Sequence, residues 1–413
     1  MGVRCYLRTK LGTLEEETVR KLIAMGAFAL AVCLAVAVAG CGSSSSSSSG
    51  GDSSSDEGGG GDSAVMKTVE ASLHELEHKV LAKGPDGETP APATAVKLSP
   101  QEIAKIKAMH ATAAICLHEG GSDWSIAQVD GLEQTFDELG IDVIAVTDAN
   151  FSPSKQVGDI ETVLTKNPDI IVSIPTDPVA TAKAYKKAAD QGVKLVFMDN
   201  IPEGFEAGVD YVSDVSADNY GNGVASADLM AEALEGEGKI GLIFHEADFF
   251  VTKQRYEAFK TTIEEKYPDI EITTEQGIAG PNFAGEAEKV ASSMMTREPD
   301  LDGIWAVWDV PAEGVLSATR ANARDDLVIT TQDLGRNVAI SMAQGGPVYG
   351  LGAQRAFEQG ATEAKLAGYG LLGKKAPAYV ALNALPVTAD NLEKAWEEVY
   401  HQALPEEVKE ATE

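Results

Sequence analysis

The sequence predicts an α/β protein built as two lobes, each a parallel sheet flanked by helices. Three observations carry that prediction. From residue 112 onward, short apolar runs alternate with amphipathic helical stretches and short loops, the pattern of right-handed crossovers in parallel sheets. The alternation runs as two similar series of about ten strands together, which argues for two lobes and not one sheet. Finally, residues 168–178 (PDIIVSIPTDP) and 299–311 (PDLDGIWAVWDVP) share one build, an apolar run bounded by Pro and Asp, once in each half. Such runs read as strands buried on both faces. In open sheets of this kind ligands sit beyond the carboxyl ends of the strands. Trp308 and Asp309 therefore fall where a flat apolar ring stands beside a hydrogen-bond acceptor. The plain alternative is a core Trp and a helix-capping Asp.

Composition narrows the function. A chain of 413 residues with 44% hydrophobic content supports two or three domains with real cores. The formal charge of −31 repels phosphate backbones and excludes nucleic acid as a partner. Four cysteines, Cys5, Cys33, Cys41 and Cys116, form no CxxC pair and no zinc spacing. Cys116 lies in an apolar run and reads as a small core residue. The sequence holds no GxSxG elbow, Walker loop or HExxH, so neither an enzyme nor a cofactor is expected. Residues 368–373 (GYGLLG) match GxGxxG literally but lie inside a helical pattern after no strand, which removes the dinucleotide reading.

Taken in order, the chain opens on a leader. Arg20 and Lys21 precede an apolar run to Ala39, and Val38-Ala39-Gly40-Cys41 puts small residues directly before a Cys. That pattern reads as a secretory signal over 1–40; the small residues before Cys41 resemble the bacterial lipobox, which implies Cys41 as the lipidated mature N-terminus, with an uncut membrane anchor as the alternative. Residues 1–18, with three consecutive Glu, fit no signal, so translation is expected to begin near Val19. Residues 41–63 are almost only Ser, Gly, Asp and Glu, a disordered tether of roughly 25 Å reach. A helical extension covers 64–110. Val65, Val69, Leu73, Leu76 and Val80 give a helix over 64–83, followed by a Pro/Ala/Gly linker over 84–97. Ser99-Pro100-Gln101-Glu102 is a capping box that opens a helix to about His110.

The alternation then gives strand 112–117 and helix 125–139, whose Ile126, Val129, Leu132, Phe136 and Leu139 form one stripe. Strands 141–147, 169–174 and 193–198 follow, with helices 154–166 and 178–191 between them. After a connecting stretch, helix 218–235 starts the second series. Its strands are 239–244, 270–275, 303–308 and 327–331, separated by helices 251–266, 284–297 and 312–322 and followed by helix 335–344. Helix 355–372, a strand near 379–382 and helix 390–402 complete the chain.

Several local patterns resemble the bacterial solute-binding proteins of sugar ABC importers, of the ribose-binding type. VKLVFMDN (193–200) is similar to the strand whose last Asp and next residue bind the sugar, here Asp199 and Asn200. TKQRYEAF (252–259) resembles the helix start whose Arg forks onto hydroxyls, here Arg255. AVWD (306–309), TQDLG (331–335) and LGAQ (351–354) match the segments that carry Trp308, Asp309, Asp333 and the hinge Gln354. Phe283 matches an aromatic wall, and Trp124 falls near another. The sequence departs at Asn200, where the type often has Arg, at Trp308, where it has Asn, and at Ser125, where it has an aromatic ring.

The resemblance implies a type I periplasmic binding protein fold of two Rossmann-like lobes joined by a multi-strand hinge. It implies one lobe over 111–212 plus 354–376 and the other over 213–353 plus 377–413. It also implies an extracytoplasmic monomer that binds a monosaccharide or polyol and serves a permease and its ATPase. A sensor module of the same fold is the alternative; a sugar-responsive repressor would need a helix-turn-helix where this chain has its leader. Physics supports a polyol site separately, since aromatic plates match C–H faces while Asp, Asn and Arg match hydroxyl rims. Asp199 and Asp333 as helix caps, Phe283 as core and Arg255 as a surface residue are the plain alternatives. His118 and His245, with Glu119, Glu246 and Asp248 nearby, read as ligand hydrogen-bonding groups or as metal ligands.

Metabolic labelling with a clickable fatty acid is expected to mark the wild-type chain and not Cys41→Ser. Equal labelling of both would remove the lipid anchor.

Overall fold

A computed structural model describes residues 59–412, with side chains from residue 64. The leader, Cys41 and the tract up to residue 58 lie outside the described residues. Helix α1 (Gly59–Leu76) begins five residues before the expected extension, because a helix once formed propagates at the gain of one bond per residue. It ends at Leu76, short of the expected residue 83. Beyond it the backbone N–H groups of Leu81 and Ala82 donate to the Asp218 carboxylate at 2.7 and 2.8 Å, which holds that segment out of the helix. Strand β1 (Ala91–Pro92) sits in the expected linker. The capping box at Ser99 forms as read and opens α2 (Pro100–Lys107).

The first sheet is fed by β2 (Thr112–Leu117), α3 (Asp123–Leu139), β3 (Asp142–Asp148), α4 (Pro153–Leu164), β4 (Ile170–Ser173), α5 (Ala182–Asp190), β5 (Lys194–Met198) and β6 (Ser213–Ala217). The second series comprises α6 (Asn219–Ala233), β7 (Gly238–His245), α7 (Phe250–Lys266), β8 (Ile270–Ile278), α8 (Phe283–Arg297), β9 (Gly303–Ala306), α9 (Asp309–Asn322), β10 (Val328–Gln332), α10 (Arg336–Ala343) and β11 (Val348–Ala353). Helix α11 (Ala356–Leu372) and β12 (Tyr379–Leu382) return to the first lobe, before β13 (Leu385–Thr388), α12 (Leu392–Tyr400) and α13 (Glu406–Glu410) finish in the second. The sheet orders are β1-β12-β6-β5-β4-β2-β3 and β13-β11-β10-β9-β7-β8. All pairings are parallel except β11 with β13.

Both faces of each sheet are covered, which is why its strands read as apolar runs and not as alternation. In β2, Ala113, Ile115 and Leu117 join Leu132 and Phe136 of α3, while Ala114 and Cys116 face Ile160 and Tyr185 on the other side. Burial pushes the Cys116 thiol up to about 12, as a core residue requires.

The lobe boundaries differ from those read in the sequence. Residues 213–217 and 379–382 belong to the first sheet, not the second. The chain crosses at strand carboxyl ends, between β6 and α6, between β11 and α11, and between β12 and β13. Strand β6 was hidden in the connecting stretch because SDVSA buries Ser213, Asp214 and Ser216, so it presents no apolar run.

Glycines let helices touch backbone to backbone in each lobe. A Cβ on Gly131 of α3 would meet Phe357 O of α11 at 2.1 Å, and one on Gly314 of α9 would meet Ala284 O of α8 at 2.1 Å. Gly131→Ala and Gly314→Ala are each expected to destabilise by about 1–3 kcal/mol in urea unfolding. Gly158→Ala, on α4 with nothing within 4 Å, is the control and should stabilise by up to about 1 kcal/mol. Equal effects at all three positions would contradict the close-approach account.

Candidate functional site

A cavity of about 270 Å³ lies between the carboxyl ends of the two sheets. Its floor is a hydrogen-bond chain centred on Arg255, a residue of α7 only 3% exposed. Nε of Arg255 donates to Asn219 Oδ1 at 2.8 Å, and Nη1 donates to Val307 O at 3.2 Å and Asp333 Oδ2 at 2.8 Å. Nη2 reaches Asp333 Oδ1 at 3.3 Å, so the guanidinium meets the carboxylate as a fork. Gln354 Nε2 donates to the same Oδ1 at 2.8 Å. Asn219, the first residue after the β6 crossing, continues the chain into the other lobe. Its Nδ2 donates to Ser216 Oγ at 3.0 Å, and that hydroxyl donates to Asp199 Oδ1 at 2.6 Å.

Asp199 and Asp333 occupy matching places, just past β5 and β10, and both adopt left-handed backbone conformations with φ of 59° and 65°. Non-glycine residues visit that region at an energetic cost, and Asp is among those that tolerate it. The turn aims each carboxylate into the cleft and keeps it from serving as an ordinary helix cap.

The walls are rings. From the first lobe come His118, Trp124 and Phe151; from the second come His245, Phe249, Phe283 and Trp308. They touch in sequence, with Phe283 lying 4.8 Å from Trp308, 5.4 Å from His245 and 5.2 Å from Phe151 between ring centroids. His118 and Phe249 stack across the cleft at 5.9 Å. Three buried polar atoms on these walls and the floor have no partner within the protein: His118 Nδ1, Trp124 Nε1 and Gln354 Oε1.

Burial sets the charges. It pushes His118 down to about 4 against the pull of Glu119 and Asp148, and His245 down to about 4, so both imidazoles are neutral at pH 7. Burial raises Asp199 to about 6, although Ser216 and Arg255 oppose it. Burial, then repulsion from Asp333 and Glu313, holds Asp309 well above the ordinary carboxylate range.

Eight of the nine residues singled out in the sequence line the cavity: Trp124, Asp199, Arg255, Phe283, Trp308, Asp309, Asp333 and Gln354. Asn200 does not. The left-handed turn at Asp199 directs it away, and its Nδ2 donates to Pro175 O at 3.3 Å beneath the surface. Ser125 is also withdrawn, its hydroxyl turned to Glu119 at the start of α3. Phe151 and Phe249 are the rings that sequence reasoning missed. Each follows a strand end by a few residues, the same placement that singled out Trp308. Among the described residues, the group spaced for a metal ion is His74, Glu77 and His78, exposed and outside the cavity.

Fold and site together define a two-lobed α/β protein with a cavity between the carboxyl ends of its two sheets. The chain belongs to the periplasmic binding protein domain family, whose model matches residues 113–375. It is 27% identical over 199 residues to the ribose import binding protein RbsB of Bacillus subtilis, covering 48% of this chain and 62% of that protein. It is 26% identical over 237 residues to the D-apiose import binding protein of Actinobacillus succinogenes, covering 56% and 73%. In fold it is similar to a periplasmic solute-binding protein of an ABC transporter from Actinobacillus succinogenes solved with D-allose. There the TM-score is 0.63 and identity 22%, covering 69% of this chain and 99% of that one.

The raised Asp199 makes a signed prediction. Its ordinary value is 3.8 and its folded value about 6, so the folded state binds the proton more tightly and stability falls as pH rises through that window. Asp199→Asn keeps the acceptor oxygen and removes the titration. Wild type is expected to gain up to about 3 kcal/mol relative to Asp199→Asn as pH is lowered from about 7 to about 4. The histidine contributions cancel in that difference. A gap independent of pH in paired unfolding curves would refute the account.

Proposed function

We propose that the chain is an extracytoplasmic solute-binding protein. It captures a sugar or sugar-like polyol in the cleft and hands it to the permease and ATPase of an ABC importer. It works as a monomer, held at the membrane through a lipid on Cys41. The observation that carries this reading is the pairing of a preorganised polar floor with ring walls in one cavity. Hydroxyl rims fit planar carboxylate, amide and guanidinium groups, and sugar C–H faces fit rings. The unpartnered Gln354 Oε1 and Trp124 Nε1 supply one acceptor and one donor for such a ligand. Among the described residues no helix is long and apolar enough to cross a membrane.

In this reading the ligand drives closure. The floor groups belong to both lobes, so a bound polyol makes contacts in the closed state that the open state lacks. Arg255 acts as a fixed fork. It orients Asp333 and Gln354 and offers its remaining N–H edge to the ligand.

A thermal-shift screen of monosaccharides and polyols, followed by calorimetry on the hits, tests the function. Arg255→Lys is expected to weaken binding at least tenfold, about 1.4 kcal/mol, because a lysine cannot reproduce the fork. Trp308→Phe should cost less. The ligand-free melting point of each variant reads the structural share of its effect. Unchanged affinity in Arg255→Lys would remove Arg255 from the site.

A further inference from the structure

Polarity in the cavity is graded along the sheets. Counted outward from the crossings, the first sheet runs β6, β5, β4, β2, β3 and the second runs β11, β10, β9, β7, β8. The residues that follow the inner strands β5, β10 and β11 are Asp199, Asp333 and Gln354. The outer strands β2, β3, β7 and β8 bring His118, Phe151, His245 and Phe283, and the polar side chains beside them are already bonded within the protein, Ser122 to Glu119 and Thr252 to Phe249 O. Trp308, after β9, stands between the two groups. One end of the cavity is therefore a hydrogen-bonding pole at the crossings, and the other is a cage of rings at the outer strands.

The outer pole suits hydroxyls poorly. Its polar handles are few: His118 Nδ1 is buried without a partner and His245 Nδ1 already meets Thr252 Oγ1 at 3.2 Å, while the rings pack on one another through edge contacts and one stacked pair across the cleft. A plain monosaccharide, hydroxylated all round, would lose water from hydroxyls there and find few partners. Trp124 Nε1 is a donor only, buried in that region without a partner, and it calls for a single acceptor atom. A flat ring carrying one acceptor meets both requirements, since ring–ring contacts favour offset and edge arrangements.

We infer that the ligand is a sugar bearing a flat apolar or heteroaromatic substituent, a nucleoside-like or aryl glycoside, with its hydroxyls at the Arg255 pole and its substituent among the outer rings. This rests on the sugar-binding reading of the same cavity and adds the second half of the ligand.

The test is calorimetry on the full chain in detergent with matched pairs: D-ribose and methyl β-D-riboside against adenosine and uridine, and methyl against phenyl β-D-glucoside. At least one substituted member is expected to bind ten or more times more tightly than its plain counterpart. Phe249→Leu and Phe151→Leu should shrink that ratio several-fold, the substituted member losing more affinity than its plain counterpart. If plain sugars bind as tightly as or more tightly than substituted ones, the substituent pole is refuted and the sugar reading stands. If no pair member binds, the sugar reading falls and this inference with it. If the preference survives both Leu substitutions unchanged, the outer rings are not the subsite and the inference is overturned.

Discussion

The ion pair between Arg255 and Asp333 constrains everything around it. A guanidinium 3% exposed must have its donors met, because an unpaired buried charge costs several kcal/mol. Here the partners come from four places in the fold: Asn219 at the first crossing, Val307 at the end of β9, Asp333 after β10 and, through Asp333, Gln354 at the second crossing. The carboxyl ends of three strands and the start of a helix are thereby fixed against one another. The floor of the second lobe is finished before any ligand arrives, and such preorganisation reduces the ordering cost of binding.

The first lobe meets the same problem with a set of buried carboxyls whose values are raised. Asp199 is backed by Asp214 and Glu363, both buried and without hydrogen-bond partners. Burial first, then mutual repulsion with Asp199, pushes these two carboxyls well above their ordinary range. The shift favours their neutral forms, which lessens the charge that burial would penalise most heavily. One floor is thus an ion pair and the other a carboxylate, Asp199, backed by two acids whose values burial raises. The hydrogen-bond chain through Ser216 and Asn219 joins them. Acid conditions would act on the first lobe's Asp199 and on the two imidazoles.

Much of this could be read from residue order because strand ends advertise themselves. AVWD and TQDLG each place a polar residue directly after a buried apolar run, and the structure puts both at the cavity. What escaped was whatever depended on backbone sign or on buried polarity. Asn200 was expected beside Asp199, but the left-handed turn sends neighbouring side chains different ways, and no residue type announces that turn outside glycine. Strand β6 escaped because its buried face is Ser and Asp, satisfied or neutralised only by partners distant in sequence. Phe151 escaped because it too has positive φ, in a loop where a large ring reads as incidental.

The N-terminal extension, whose role sequence left open, follows from the same hub. Helix α1 packs Val69 with Met230 and Phe259 in the second lobe, whereas β1 pairs with β12 in the first. Between them Asp218 accepts the amides of Leu81 and Ala82 while also capping α6 through Gly221 N–H at 2.8 Å. Asn383, at the third crossing, donates to Glu77 O at 3.1 Å. The extension is therefore a fourth connection between lobes, tied at two of the three crossings. A rotation that kept these bonds would have to pivot close to Asp218, since a distant axis would pull Leu81 and Ala82 off its carboxylate and strand a buried acid. Asn219, the next residue, is the link between the two floors. Any closure that brings Asp199 toward Asp333 thus turns about the point where the two floors already meet, so it narrows the ring end of the cleft far more than the polar end. That geometry lets the polar pole be built in advance, while the width of the other end is set by ring contacts between the lobes, His118 with Phe249 and Phe151 with Phe283.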